Sequence, residues 1–166
     1  MRYADIRKMD IVNGEGIGVS LFVQGCPFHC KGCFNTETWD FNGGKNFTKE
    51  ICNKFIQLCE QSYVDFIAIL GGEPLEQGED LYLLLREIKE KLPNKPIFLW
   101  TGYKWENIKY DIAWKTVTEF VDVLIEGQFE EEKKDLTLAF RGSTNQRVID
   151  VKKTLDNNNI PVLYCE

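Results

Sequence analysis

The stretch Gly18–Cys33, GVSLFVQGCPFHCKGC, decides how the rest of the chain is read. Its first seven residues, Gly18 to Gln24, form an apolar, partly β-branched run that ends at Gly25, the pattern of a buried strand. Directly after it come Cys26, Cys30 and Cys33, spaced C-x3-C-x2-C on a loop that contains Gly25 and Gly32. Those glycines let the backbone bend tightly around a bulky object. Metal sites are usually closed by four protein ligands, and here only three stand close together.

Outward from that stretch, strand and helix patterns alternate. FTKEICNKFIQLCEQS reads as an amphipathic helix with Thr48 as N-cap. DFIAIL, Asp65 to Leu70, is a second buried strand leading into the turn GGEP. EDLYLLLREIKEKL is a helix closed by Pro93, and PIFLW is a strand running into TGY. A weaker helix around Ala113 to Phe120 precedes the strand VDVLIEG. STNQRVIDVKKTLD is expected to be a helix capped by Ser143 or Thr144, and IPVLYC a closing strand.

Strands alternating with helices imply parallel pairing and an α/β fold. With 166 residues the chain is too short for an eight-unit barrel of about 250 residues. The expectation is a single domain from 1 to 166: a partial (β/α) barrel or open parallel sheet of about five to six strands, helices outside. In such folds the loops leaving the C-terminal strand ends line the site. The cysteine loop, GGEP and TGY all fall there.

Composition narrows the classes. The 43% hydrophobic content suffices for a core without disulfides. A net charge of -6, with lysines scattered among acids, gives no reason to expect nucleic-acid binding. No apolar run approaches the roughly 20 residues needed to cross a membrane. The start, MRYADIRKMDIVNGEG, lacks the apolar core of a signal peptide. A cytoplasmic protein is expected, in which thiols stay reduced and clustered cysteines are ligands or catalysts.

Three thiolates on so short a loop can hold three corners of a cubane iron–sulfur cluster and leave the fourth iron open. A structural zinc site normally uses two separated ligand pairs, and there is no second pair here. His29, the one histidine, abuts Cys30, a poor geometry for tetrahedral closure. Cys52 and Cys59 lie seven apart on one face of the predicted helix and read as core residues, as does Cys165.

C-x3-C-x2-C on the loop after a strand resembles the signature of the radical S-adenosylmethionine (SAM) enzymes. The resemblance implies a [4Fe-4S] cluster on Cys26, Cys30 and Cys33, whose open iron is chelated by the methionine part of SAM. An electron from the reduced cluster would cleave a carbon–sulfur bond to give methionine and a 5′-deoxyadenosyl radical. GGEP, Gly71 to Pro74, closely resembles the motif that meets the SAM amino group in that family. It implies the same role for Gly71, Gly72 and Glu73, a carboxylate being apt for an ammonium. Thr101 of TGY is a further candidate for SAM. The family often has an aromatic residue before the last cysteine, near adenine. Here that position is Gly32, and Phe34 follows the cysteine, so contacts from Gly32, Cys33 and Phe34 are expected instead.

DIVNGEG, LFVQGCPFHCKGCFNTETWDFNGG, GGEPLEQ, WTGYKWE, VDVLIEGQF and FRGSTNQRVID together resemble the activating proteins of anaerobic (class III) ribonucleoside-triphosphate reductase. The likeness runs from about Asp10 to Asp150, and RGSTNQRVID is its most discriminating piece. It implies that the substrate is a glycine of the reductase large subunit, whose α-carbon gives up hydrogen. Flavodoxin or ferredoxin would supply the electron. Arg141 and Asn145 are expected to face the site or the partner. Two alternatives stay open: the activase of another glycyl radical enzyme such as pyruvate formate-lyase, whose chains are usually longer, and a non-catalytic zinc-binding module.

Overall fold

The computed structural model describes residues 1–165. Seven strands form one open sheet in the order β3-β1-β2-β4-β5-β6-β7. They are β1 (Arg2–Asp10), β2 (Gly18–Val23), β3 (Lys45–Asn46), β4 (Phe66–Gly71), β5 (Ile97–Thr101), β6 (Val123–Glu126) and β7 (Arg147–Asp150). The centre, β2-β4-β5-β6, is parallel. The edges are antiparallel: β1 on β2, β3 on β1, and β7 on β6. The expectation of an α/β fold with an open sheet holds, with more strands than anticipated and mixed pairing.

Every residue of β2 is buried, as is Phe66–Leu70 of β4, because both faces of the central strands are covered. On one face pack α1 (Lys49–Cys59) and α2 (Glu79–Lys91), inserting Phe55, Ile56, Leu81, Leu85 and Ile88 over Leu21, Ile67, Ile69 and Leu99. The Thr48 hydroxyl accepts from the Ile51 N–H, so the expected cap starts α1. Two short helices, α3 (Trp105–Ile108) and α4 (Ile112–Thr118), continue this layer. The other face is aromatic. Phe22, Phe66 and Phe98 pack there under Phe140 and Tyr164, which come from connecting segments and not from helices.

Three differences from the sequence expectations have physical reasons. β1 carries Arg2, Asp5, Arg7 and Lys8 and shows no apolar run. It forms because it is the antiparallel partner of β2, and Arg7 lays its guanidinium over the Phe22 ring at 4.8 Å. Second, the expected helix from Ser143 begins only at α5 (Val151–Asp156), where the Asp150 side chain accepts from the Lys153 N–H at 3.0 Å. Arg147–Asp150 is strand instead, since Val148 and Ile149 are fully buried against β6. Third, IPVLYC forms no regular strand. It meets β7 only through an Ile149–Leu163 bridge and two flanking bonds, Asp150 N–H to Val162 O and Tyr164 N–H to Val148 O. Pro161 has no N–H to extend that ladder.

Candidate functional site

The loops leaving the C-terminal ends of β2, β4, β5 and β6 meet at one edge of the sheet. The cysteine loop begins where the Gly25 N–H donates to Thr38 O (2.7 Å) and the Cys26 N–H to Trp39 O (3.1 Å). Gly25 and Gly32 have φ of +102° and +73°, so both tight bends use the left-handed region that glycine enters without strain. His29 is exposed, and its ring stacks on Trp39 at 4.6 Å.

All six cysteines are free thiols. Cys26, Cys30 and Cys33 are half-buried on the loop, whereas Cys52 and Cys59 are buried in the helix-side core. Cys165 is half-buried against the aromatic face, so the expected core role fits it less completely than the other two. Each loop thiol receives backbone N–H groups: Cys26 from Phe28 and His29, Cys30 from Phe129, and Cys33 from Asn35 at 3.4 Å. Burial pushes the Cys26 and Cys30 thiols above their ordinary value, and the nearby Glu73 charge adds to the shift. The N–H groups act the other way and favour thiolate. Among the described residues, no three His, Cys, Asp or Glu side chains close on a point that would hold one ion. A cubane takes each thiolate on a different iron, so three N–H-supported thiols on one loop fit a [4Fe-4S] cluster.

The GGEP loop is bonded to the start of the cysteine loop. The Gly72 N–H donates to Val23 O (2.9 Å) and the Glu73 N–H to Gly25 O (2.8 Å). A side chain at Gly72 would run into the Gly25 backbone, so glycine is required by close approach. The Glu73 carboxylate is 1% exposed. Its Oε1 accepts from the Leu75 N–H (3.0 Å) and the Thr101 hydroxyl (2.7 Å), and its Oε2 from the Gly102 N–H (2.7 Å). Burial raises its pKa to about 7, and these three bonds oppose that rise. Phe28 of the cysteine loop lies over Gly102 and meets Tyr103 edge-on at 4.8 Å.

A cleft of about 360 Å³ opens at this edge. Its walls come from Phe28, Gly102–Lys104, Asn107, Gln128–Glu130 and Asn145. Gln128 Oε1 lies 3.9 Å from Cys30 Sγ, so the cleft adjoins the thiols. Asn145 Nδ2 donates to Gln128 O at 2.8 Å, while its Oδ1 is buried without a partner. Arg141 holds Gln146 O through one guanidinium nitrogen, and its Nε is also buried and unpartnered. Phe34 is more than half exposed and pairs with Phe129, a wall of the cleft, at 5.2 Å.

The structure therefore gathers Cys26, Cys30, Cys33, Gly71, Gly72, Glu73 and Thr101 at one edge, with Asn145 beside them. Sequence reasoning assigned no site role to Phe28, Lys104, Asn107, Gln128, Phe129 or Glu130. The signal for Gln128–Glu130 was present: they follow Gly127 (φ +98°) at the C-terminal end of a central parallel strand, as GGEP and TGY do.

A family model described as a 4Fe-4S single cluster domain matches residues 12–149. Curated relatives named anaerobic ribonucleoside-triphosphate reductase-activating protein include one from Salmonella typhimurium (strain LT2), 39% identical over 152 residues covering 89% of this chain and 97% of the relative. The Enterobacteria phage T4 relative is 38% identical over 150 residues, covering 89% of this chain and 93% of its own length. That of Escherichia coli (strain K12) is 37% identical over 152 residues, covering 89% and 97%. On this similarity, spread over nearly the whole sheet and all four loops of the site edge, the chain belongs to the 4Fe-4S family of anaerobic ribonucleoside-triphosphate reductase-activating proteins.

Proposed function

We propose that this protein is a radical SAM activase that installs a glycyl radical on the large subunit of an anaerobic ribonucleoside-triphosphate reductase. The observation that carries the reading is a set of three half-buried thiols, each given backbone N–H donors, next to a 360 Å³ cleft at the same sheet edge. Cys26, Cys30 and Cys33 would hold the cluster. When bound and reduced, it supplies the electron that splits SAM into methionine and a 5′-deoxyadenosyl radical, which takes hydrogen from the α-carbon of the target glycine.

The chain's residues place the reactants. The turn Gly71–Glu73 receives the ammonium end of SAM, with Thr101 at its border. Gly32, Cys33 and Phe34 offer backbone and ring contact to the nucleoside from the cysteine loop. In the cleft, the buried Asn145 Oδ1 lacks a donor, and a ligand N–H or O–H would satisfy it. The rings of Phe28, Tyr103 and Phe129 supply the apolar part of the cleft wall. The open edge leaves room for a glycine loop and for flavodoxin or ferredoxin as electron donor. The reducing cytoplasm suits six free thiols.

The test is anaerobic reconstitution with iron and sulfide, dithionite reduction, and electron paramagnetic resonance with and without SAM. A reduced cubane signal altered by SAM, with 5′-deoxyadenosine formed and a glycyl radical on the added reductase, is expected. A cluster indifferent to SAM would refute the radical mechanism. A radical on pyruvate formate-lyase and none on the reductase would refute the partner.

A further inference from the structure

Ser143 and Gln146 lie outside the cleft walls. Yet with Asn145 they hold the start of the loop after β6 by its backbone. Gln146 Nε2 donates to Gly127 O (2.9 Å), Asn145 Nδ2 donates to Gln128 O (2.8 Å), and the Ser143 hydroxyl accepts the Glu130 N–H (3.2 Å). Ser143 is fully buried and Gln146 half-buried. The clamp is itself fixed. Gln146 Oε1 accepts the Gly142 and Ser143 N–H groups at 2.9 and 3.2 Å, and Arg141 donates to Gln146 O at 3.0 Å. Two backbone bonds, Thr144 N–H to Lys133 O (2.9 Å) and Asp135 N–H to Gly142 O (3.0 Å), close the rest of the loop.

Gly127, Gln128 and Glu130 are thus each held, and Phe129 between them turns its own N–H to the Cys30 sulfur. Gln128 Oε1 stands 3.9 Å from the same Sγ, and the Lys31 ammonium reaches Glu131 at 3.0 Å. A side chain at Gly142 would press on the Phe34 and Phe129 rings, so the clamp packs directly beneath this contact. The N–H groups on Cys26 and Cys33 come from their own loop, at Phe28, His29 and Asn35. The Phe129 N–H on Cys30 crosses from the loop after β6. Reduction adds negative charge to a cluster and its sulfurs, so an N–H fixed against one of them is worth more in the reduced state.

We propose that Ser143, Asn145 and Gln146 are positioning residues: they clamp the loop after β6 so that the Phe129 N–H donates to the Cys30 sulfur and raises the reduction potential of the cluster. The proposal rests on the reading of Cys26, Cys30 and Cys33 as cluster ligands and does not depend on SAM. Releasing Gly127 or Glu130 lets Phe129 withdraw, and loss of the fixed donor lowers the potential. Loosening that merely admits water acts in the opposite direction, because water also solvates the added negative charge. The sign of the shift therefore separates the clamp from a general loss of packing.

The experiment is an anaerobic redox titration of the reconstituted cluster without SAM, read by electron paramagnetic resonance. It uses wild type, Ser143→Ala, Gln146→Met and Thr48→Ala. Ser143→Ala removes the acceptor for the Glu130 N–H, and Gln146→Met removes the donor to Gly127 O. Asn145 is left in place because it also faces the cleft. Thr48→Ala removes the α1 cap on the helix-covered face and controls for lost stability. At the wild-type midpoint, the ratio of reduced to oxidised cluster should fall about fivefold in each clamp variant, the worth of one hydrogen bond, or about 40 mV at 59 mV per tenfold. Thr48→Ala should stay within about twofold of wild type. A ratio within about twofold of wild type, or above it, in either clamp variant overturns the proposal, as does an equal fall in Thr48→Ala. Should one clamp variant fail to fold, the other decides. If wild type assembles no cluster, the ligand reading fails, and amide hydrogen exchange of the metal-free chain judges the clamp. The Phe129 N–H should then exchange faster in Cys30→Ala and in the clamp variants than in wild type, and equal rates overturn the proposal. If neither clamp variant folds, the same comparison of Cys30→Ala with wild type decides.

Discussion

The backbone N–H of Glu73 donates to the carbonyl of Gly25 at 2.8 Å, tying the turn after β4 to the residue before the first cysteine. Parallel neighbours β2 and β4 end in register, Val23 beside Gly71, so their loops leave the sheet side by side. That register brings a cysteine motif and an acidic turn, some forty positions apart in the chain, into one site.

Substituting any of Cys26, Cys30 or Cys33 with Ala should abolish cluster assembly and SAM cleavage. Cys52→Ala, Cys59→Ala and Cys165→Ala should retain both. Cys59 lies in the core, where burial lifts its thiol to about 12, so it is a packed neutral group. Its replacement should cost about 1 kcal/mol of stability and no iron. Iron and sulfide per chain, with 5′-deoxyadenosine yield, check this. Loss of cluster from a well-folded Cys52 or Cys59 variant would contradict the three-ligand set.

Gly72→Ala places a methyl group against the Gly25 backbone, where no flexible side chain can give way. The turn and the cysteine loop must separate. Thermal stability should fall by about 2 kcal/mol or more, and reconstituted iron should drop with it. Wild-type iron content in this variant would show that the two loops are not coupled.

Asn145→Leu removes the buried acceptor and the bond to Gln128 O. SAM affinity should weaken about tenfold or more, since a hydrogen bond in such a setting is worth about 1–3 kcal/mol. Cluster content should hold, because Asn145 bonds to Gln128 and not to a thiol. Calorimetric titration against reconstituted protein reads both the affinity and the site count. An unchanged affinity would place the ligand elsewhere.

Glu73 also predicts a pH dependence. Burial raises its folded pKa from the ordinary 4.5 to about 7. Between those values the folded chain holds a proton that the unfolded chain has released, so unfolding free energy decreases as pH rises through that window. The loss is on the order of 3 kcal/mol between pH 4.5 and 7, at about 1.4 kcal/mol per unit. Thermal unfolding of cluster-free protein from pH 5 to 8 should show a falling midpoint that is absent in Glu73→Gln. Identical slopes in both proteins would exclude Glu73 as the source.

The central strands were legible because Gly18–Val23, Phe66–Leu70, Ile97–Thr101 and Val123–Glu126 are short apolar runs bounded by glycine or polar residues. β1 was not, because its charged side chains face solvent on one side and its pairing comes from β2. The segment from Ser143 defeated the helix reading because Val148 and Ile149 suit a strand or a helix equally well. Only the place beside β6 selects between them.

The sequence alone determined the α/β class, the cysteine spacing and the glycine-acid turn, since these depend on local periodicity and on residue types with few chemical uses. Tertiary structure decided which groups share the site and which are free to act there. Gln128, Phe129 and Asn145 enter the cleft only because β6 and β7 pair antiparallel and fold the 127–146 loop back over the cysteines. Glu73 and Thr101, which read as ligand contacts, bond to each other because parallel β4 and β5 end side by side. Hydrogen-bond saturation is a property of neighbours in space, and no spacing in a single chain encodes it directly.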